Sequence, residues 1–477
     1  MIKKIFFGIV TTGVRTVSGI IRNKIYAMVL SLNLYGILSI GIQSSGLLYI
    51  FIALGIPLGV TSLVSQIVDK SDEEKKTIIS RIVVLASLVT TAFLFLLGLL
   101  LLIAPHIASR IVTAKDEYAL PIAIVLLASP LMVFENALHS IMEGMGKLRE
   151  IIVFKIVPVI IILPILYYLT TQYYLLGAAL SVFVSEIVLC AVAVIVLRKF
   201  ISLNRDAFRV QEIFRQIFKV AILSFTIGSL RLATDFIAKR YVLGTMGEID
   251  NGIVQSVARI TDLYPLLSIA WLSMHLFPAL GTKRDDAAAT ARIVERATII
   301  AVAIIIPAIV ILFAFRTPIL ELMYKKEFSL ATEYFGAMLA TGIPKIYSWV
   351  LSVGLMAAGL RRQWFYSSII MSGTYLCGVW VGFSLHFGIY ALPLTTGIGF
   401  VLQSFYCLYA FKKNSVHFNP AFIMQSIIFG VFSLLFVASV FWNVLLVLIT
   451  AGYIGFFFRY KLAHEIRDRL LGVFSKT

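Results

Sequence analysis

Residues 82–104 read IVVLASLVTTAFLFLLGLLLLIA, 23 consecutive residues without a charged side chain, close behind the polar run Ser71-Asp72-Glu73-Glu74-Lys75-Lys76-Thr77. An α-helix rises about 1.5 Å per residue, so roughly 20 mainly apolar residues carry it across the ~30 Å hydrocarbon layer of a bilayer. Apolar runs of similar length recur on both sides, at approximately 5–31, 41–67, 118–142, 151–171, 174–197, 215–242, 252–279, 291–315, 330–358, 363–386, 388–411, 421–439 and 441–459. Of the 477 residues 60% are hydrophobic and 14% charged, too little polar surface to clothe a water-soluble globule of this size. The expected fold is an all-α polytopic membrane protein of 14 transmembrane helices, with the phospholipid bilayer as its solvent and no soluble domain to house catalysis. An enzyme is not expected.

Lysine and arginine outnumber aspartate and glutamate by 41 to 24, a net charge of +17. In a soluble chain that excess points to nucleic acid. In a membrane chain it points instead to the loops of one side and to a cavity that receives anions, so no nucleic-acid partner is expected. With the N-terminus placed in the cytoplasm, the connectors and span ends on that side collect 28 basic residues, among them Lys75, Lys76, Lys147, Arg198, Arg292, Arg361 and Lys412. The opposite side receives seven: Arg110, Lys115, Lys239, Arg240, Arg316, Lys325 and Lys326. Six remain inside spans: Arg15, Arg22, Lys24, Arg231, Arg259 and Lys345. The bias implies a multi-pass protein of the cytoplasmic (inner) membrane with both termini cytoplasmic. Lys3 and Lys4 ahead of an apolar stretch imitate a secretory signal, but Arg15, Arg22 and Lys24 interrupt it, and it reads as the first span. Cys190, Cys377 and Cys407 lie singly in apolar runs and read as small buried residues.

The chain repeats itself at an offset near 212 residues. Ser80-Arg81-Ile82-Val83 is echoed by Ala291-Arg292-Ile293-Val294, and Leu138 through Gly146 by Leu351 through Gly359. Each half holds six spans, so the copies enter the membrane in the same orientation, as parallel repeats do when they enclose a site near the midplane. The expected divisions are a first lobe at 1–205, a second at 206–413, two further spans at 414–459, and a basic amphipathic tail at 460–477. The tail carries Leu462, Ile466 and Leu470 at helical spacing and suits a helix lying on the membrane surface. The loops expected on the outer side are short, the longest running roughly from Arg316 to Thr332, which argues against a glycan ligase or polymerase.

An ionisable residue inside a span costs about 2.5–3.5 kcal/mol on insertion scales unless it faces a polar interior, so each one asks for a reason. Arg15 and Arg22 are seven residues apart on one face of the first span, and Lys24 points elsewhere. Arg22 and Lys24 either snorkel to an interface or serve a cavity. On the seventh span Arg231, Asp235 and Lys239 form one stripe, either a self-satisfied ion ladder or part of a site. Arg259 and Asp262 lie a turn apart on the eighth, and Glu135, His139 and Glu143 share a face of the fourth, with His139 either packed or part of a proton relay. Glu186 and Lys345 stand alone and could pair across helices. Cations gathered around one cavity repel each other unless an anion enters, and a diphosphate fits the forked donors of arginine.

With these residues in place the chain resembles the multidrug/oligosaccharidyl-lipid/polysaccharide exporter superfamily along essentially its whole length. Gly19-Ile20-Ile21-Arg22-Asn23 resembles the first-helix Gly-x-x-Arg-Asp of bacterial lipid II flippases, with Asn23 in place of the acid. Arg259-Ile260-Thr261-Asp262-Leu263-Tyr264-Pro265 resembles their eighth-helix Arg-x-x-Glu-Leu-Pro with one residue inserted, and Gly55-Ile56-Pro57 through Ser65 is more like the polysaccharide flippases. The resemblance implies a flippase for a polyprenyl-diphosphate-linked glycan, working by alternating access, with the cavity cations at Arg22, Arg259, Arg15, Lys24 and Arg231. Asp235, Asp262, Glu135 and His139 would serve in coupling or ion pairing, with Na+ or H+ as the coupling ion. A sodium site would fall at Asp235, Thr395 and Thr396, although the eleventh span lacks an acid. A glycan polymerase or another envelope-assembly protein is the implied protein partner. A drug or cation antiporter of the same architecture is the alternative. Alkaline phosphatase fused after residue 205 or residue 413 should be inactive and a fluorescent protein at either place bright; the reverse pattern would overturn the topology.

Overall fold

The computed structural model describes residues 2–67, 70–202, 205–263, 276, 280 and 286–438. The regular elements among the described residues are all helices, with no strand among them. This follows from the solvent: a backbone without water must satisfy its own hydrogen bonds, and a helix does so within one segment.

The helices are α1 (Ile2–Val29), α2 (Leu32–Ala53), α3 (Ile56–Gln66), α4 (Asp72–Ile103), α5 (Pro105–Thr113), α6 (Ala119–Gly144), α7 (Leu148–Leu197), α8 (Gln211–Met246) and α9 (Glu248–Thr261). They continue as α10 (Ala287–Ala314), α11 (Arg316–Met323), α12 (Thr332–Ala340), α13 (Gly342–Ala357), α14 (Arg361–Ser384), α15 (Ala391–Lys413) and α16 (Pro420–Ala438). The fourteenth span, the amphipathic tail, and Tyr264 and Pro265 lie outside the described residues.

Seven described helical stretches are long and apolar enough to cross a membrane by length and composition. That is fewer than the expected fourteen, for identifiable reasons. The span expected at 41–67 is two helices, α2 and α3, broken at Leu54 and Gly55, both with positive φ, and α2 alone is one of the seven. The charges in α1 and α8 lower their apolar character. In addition, α7 runs two expected spans together as one helix. Its 50 residues would reach ~75 Å if straight, more than twice the hydrocarbon thickness. The helix breaks at Tyr174 (φ 48°, ψ −124°), and the chain folds back so tightly that a Cβ on Gly177 would stand 1.8 Å from the Leu169 carbonyl oxygen. Tyr167, Tyr168, Tyr173 and Tyr174 are exposed around this turn, the placement of an interfacial aromatic belt.

The sequence repeat has a local structural counterpart. The helices containing the echoed segments 80–83 and 291–294 both open on a capping side chain: Ser71 Oγ accepts from the Glu74 amide, and Asp286 Oδ1 from the Ala289 amide. The echoed segments 138–146 and 351–359 both end on a left-handed glycine, Gly146 (φ 64°) and Gly359 (φ 82°). Each is followed by the same closing bond, Lys147 amide to Met142 carbonyl at 3.1 Å and Leu360 amide to Leu355 carbonyl at 2.9 Å.

Two compact units result. Unit 1 comprises residues 1–255 and 321–328, and unit 2 comprises 256–320 and 329–477. Unit 1 therefore takes α8, most of α9 and a short segment of the second half of the sequence. Its apolar core includes Val60, Val64, Ile82, Leu138, Phe154 and Ala193, and Ile213 and Ile217 of α8 join it. At the other end α9 approaches α2 through glycines: a Cβ on Gly252 would stand 2.3 Å from the Leu32 carbonyl oxygen, and one on Gly36 2.8 Å from the Gly252 nitrogen. Cys407 is buried and Cys190 half-buried as small apolar residues, but Cys377 is exposed on α14, contrary to expectation. Replacing Gly252 with Ala should cost about 1–3 kcal/mol by overpacking and lower the melting temperature in detergent, whereas Gly46→Ala, with nothing near the added carbon, should not.

Candidate functional site

The structure sorts the intramembrane charges into those already satisfied and those held open. On α8 the Lys239 ammonium lies 2.8 Å from Asp235 Oδ2, and Gln43 Nε2 on α2 donates to the same oxygen at 2.5 Å. Gln255 Nε2 in turn donates to Gln43 Oε1 at 3.4 Å. Two members of the expected stripe thus satisfy each other, one turn apart. Arg231 is exposed on the same helix. In unit 2, Lys345 reaches Asp262 at 3.3 Å, so Lys345 is not solitary, and a lysine from another helix reaches the acid a turn from Arg259. Arg259 itself is half-buried.

Arg22 behaves differently. It is exposed on α1 and, among the described residues, makes no hydrogen bond or ion pair. Its field reaches the carboxyl of Glu186, which lies midway between Tyr174 and Leu197 on the second arm of α7. Tyr26 of α1, one turn after Arg22, bonds Ser181 of α7, just over one turn before Glu186, so Arg22 and Glu186 lie on the same stretch of the α1–α7 contact. Lys24 is half-buried on the same helix, and the side chain of Arg15 lies outside the described residues.

Around Glu186, unit 1 collects further polar groups. Glu135 of α6 and Glu186 both act electrostatically on Tyr49 of α2 and on Cys190 of α7, and the Cys190 thiol donates to the Leu131 carbonyl at 3.5 Å. Tyr26 of α1 bonds Ser181 of α7 at 2.8 Å. His139 stacks on Phe154 with ring centroids 5.2 Å apart, and its Nε2 stands 3.6 Å from Glu143, so it is packed as well as paired. Of the three groups expected around sodium, Asp235 belongs to unit 1 and is engaged by Lys239 and Gln43, and Thr395 and Thr396 belong to unit 2. The Thr395 hydroxyl donates to the Ala391 and Leu392 carbonyls of its own helix.

At the end of unit 1 opposite the basic connectors, Glu248 ties three segments together. Its carboxylate accepts from Lys115 at 2.5 Å, Tyr118 at 2.9 Å and Asn33 at 3.3 Å. Segment 321–328 completes this end. Glu327 accepts from the Leu32 amide at 3.4 Å, and Tyr324 and Phe328 pack edge-on against Tyr35. Arg240 donates to the Arg110 and Ile111 carbonyls of α5. Charge bias alone placed Arg110, Lys115 and Arg240 at one end but did not reveal this bonding. Gln43, Gln255 and Glu248 were missed because uncharged amides and an acid between two expected spans raise no hydropathy alarm.

The fold is shared with several solved structures. One similar solved structure is described as the lipid II flippase MurJ in an inward closed conformation, at 17% identity and TM-score 0.68 over 98% of this chain and 100% of that one. Another is an inward-facing multidrug resistance MATE family transporter of the MOP superfamily, at 13% identity and TM-score 0.65 over 87% and 95%. A third is a MOP superfamily transporter from Pyrococcus furiosus described as having a binding pocket of reversed polarity, at 14% identity and TM-score 0.61 over 89% and 95%. No curated protein sequence matches the chain. Residues 1–282, more than half of the chain, match the polysaccharide biosynthesis protein family, and the chain belongs to that family.

Burial pushes the Glu248 carboxyl up, but the bonds from Lys115, Tyr118 and Asn33 outweigh it and hold the group below its ordinary value of 4.5. A depressed carboxylate stabilises the fold above its unfolded value, and that contribution is lost as pH falls through the folded value. The melting temperature should therefore drop below about pH 4.5 in the wild type, and this acid-side drop should be shallower in Glu248→Gln.

Proposed function

We propose that the protein is a flippase that carries a polyprenyl-diphosphate-linked oligosaccharide, an O-antigen, capsule or exopolysaccharide unit or lipid II, across the cytoplasmic membrane. The single observation that carries this reading is the division of charges: Lys239 and Lys345 have carboxylate partners, while Arg22, inside the first expected span, has no bonded one among the described residues. An arginine left open in a low-dielectric setting favours an anion, and its fork suits phosphate oxygens. Arg259, half-buried and without a bonded partner among the described residues, is assigned the same role, with Arg15, Lys24 and Arg231 as the further cavity cations.

In this reading fourteen spans with both termini cytoplasmic open a cationic cavity alternately to the two sides. The diphosphate and sugars enter the cavity and the polyprenyl tail stays in lipid, with no covalent step. Family membership and the MurJ-like fold support it. A drug antiporter suits the MATE-like fold, but cationic drugs call for acidic or apolar cavities, and open arginines oppose that. In vesicles, Arg22→Ala and Arg259→Ala should each slow translocation of a labelled polyprenyl-diphosphate glycan by at least about tenfold, some 1.4 kcal/mol, without loss of folded protein. Full rates in both would overturn the assignment.

A further inference from the structure

Glu186 is 9% exposed, and among the described residues no hydrogen-bond donor or ion-pair partner meets its carboxyl. An ionised carboxylate in an apolar interior without a donor costs several kcal/mol, so the group needs a compensating cation, fixed or mobile. The Tyr26–Ser181 bond at 2.8 Å ties α1 to α7 one turn from Arg22 and just over one turn from Glu186, and within electrostatic reach of this stretch are Arg22 of α1, Tyr49 of α2, Cys190 of the same helix as Glu186, and, through Tyr49 and Cys190, Glu135 of α6. Only Arg22 among these is a cation, and a second acid nearby deepens the need. Arg22 is also the residue assigned above to the substrate diphosphate. One guanidinium thus has two anionic claimants.

We propose that Glu186 is a proton-binding site coupled to the substrate site: when a diphosphate draws the Arg22 charge to itself, Glu186 takes up one proton, and when Glu186 is ionised it draws Arg22 away from the diphosphate. The proton comes from bulk water and adds to one carboxylate oxygen; no bond in the substrate is made or broken. The proposal rests on the reading of Arg22 as a diphosphate ligand and supplies its regulation. Binding one proton together with the anion obliges diphosphate affinity to rise as pH falls, by at most about tenfold per pH unit.

The test uses the full chain in detergent with undecaprenyl diphosphate as probe. Affinity is measured from acid to alkaline pH, and proton uptake on mixing is read with an indicator dye in weak buffer. Wild type should take up close to one proton more than Glu186→Gln does, the difference removing the probe's own titration. Glu186→Gln should bind the probe at least as well at neutral pH, with a flatter pH profile. Equal uptake and parallel profiles in the two proteins would overturn the coupling. Arg22→Ala should lose most of the binding; if it binds as tightly as wild type, the diphosphate reading of Arg22 fails first, a separate result from the Glu186 comparison. Where Glu186→Gln does not elute as folded protein, Glu186→Asp replaces it, with a displaced pH profile expected and an unaltered one counting against the coupling.

Discussion

A charge inside the hydrocarbon layer has no water to solvate it, and that scarcity organises this protein more than any single contact. The backbone answers it with helices, and the side chains answer it by pairing. Lys239 with Asp235, and Lys345 with Asp262, are closed accounts at 2.8 and 3.3 Å. Gln43 adds a neutral donor to Asp235, so the pair is bonded from two helices and holds α2 to α8. Against this background, the sharing of Arg22 and Glu186 across α1 and α7 without a direct bond is an exception, and exceptions of this kind mark where a mobile charge has work to do.

The two ends of unit 1 are held by different physics. At one end aliphatic side chains of α3, α4, α6 and α7 enclose Ile213 and Ile217 of α8, a contact insensitive to pH and salt. At the other, carboxylates of Glu248 and Glu327 collect amides, a lysine and a tyrosine from the α1–α2 turn and the approach to α6. Polar bonds in water-facing segments exchange for water at small net cost, whereas apolar packing does not.

Much of the fold was legible because hydrophobic runs, charge asymmetry and the repeat are all one-dimensional signals. The echoes at 80–83 and 138–146 led to matching caps and matching left-handed glycines, since each motif is set by a few adjacent residues. Breaks inside apolar segments were less legible. Residues 41–67 form two helices, because the Leu54–Gly55 turn carries no polar signal, while the reversal at Tyr174 was found through its neighbouring polar connector. For the site, the acids and bases were visible as intruders in apolar runs, but their partners were not. Lys345 looked solitary because Asp262 is 83 residues away in sequence, and Glu186 gave no hint that it would be the acid facing Arg22.

The membership of residues 321–328 in unit 1 bears on how the protein is made. The ribosome completes 1–255 first, yet the Leu32 amide and the Tyr35 ring receive Glu327, Tyr324 and Phe328 only after the intervening stretch has been synthesised and inserted. At translation rates of about 5–20 residues per second that interval lasts several seconds. During biogenesis the first unit is therefore an unfinished body whose last strap arrives with the second, and the order of insertion ties the two halves into a single assembly event.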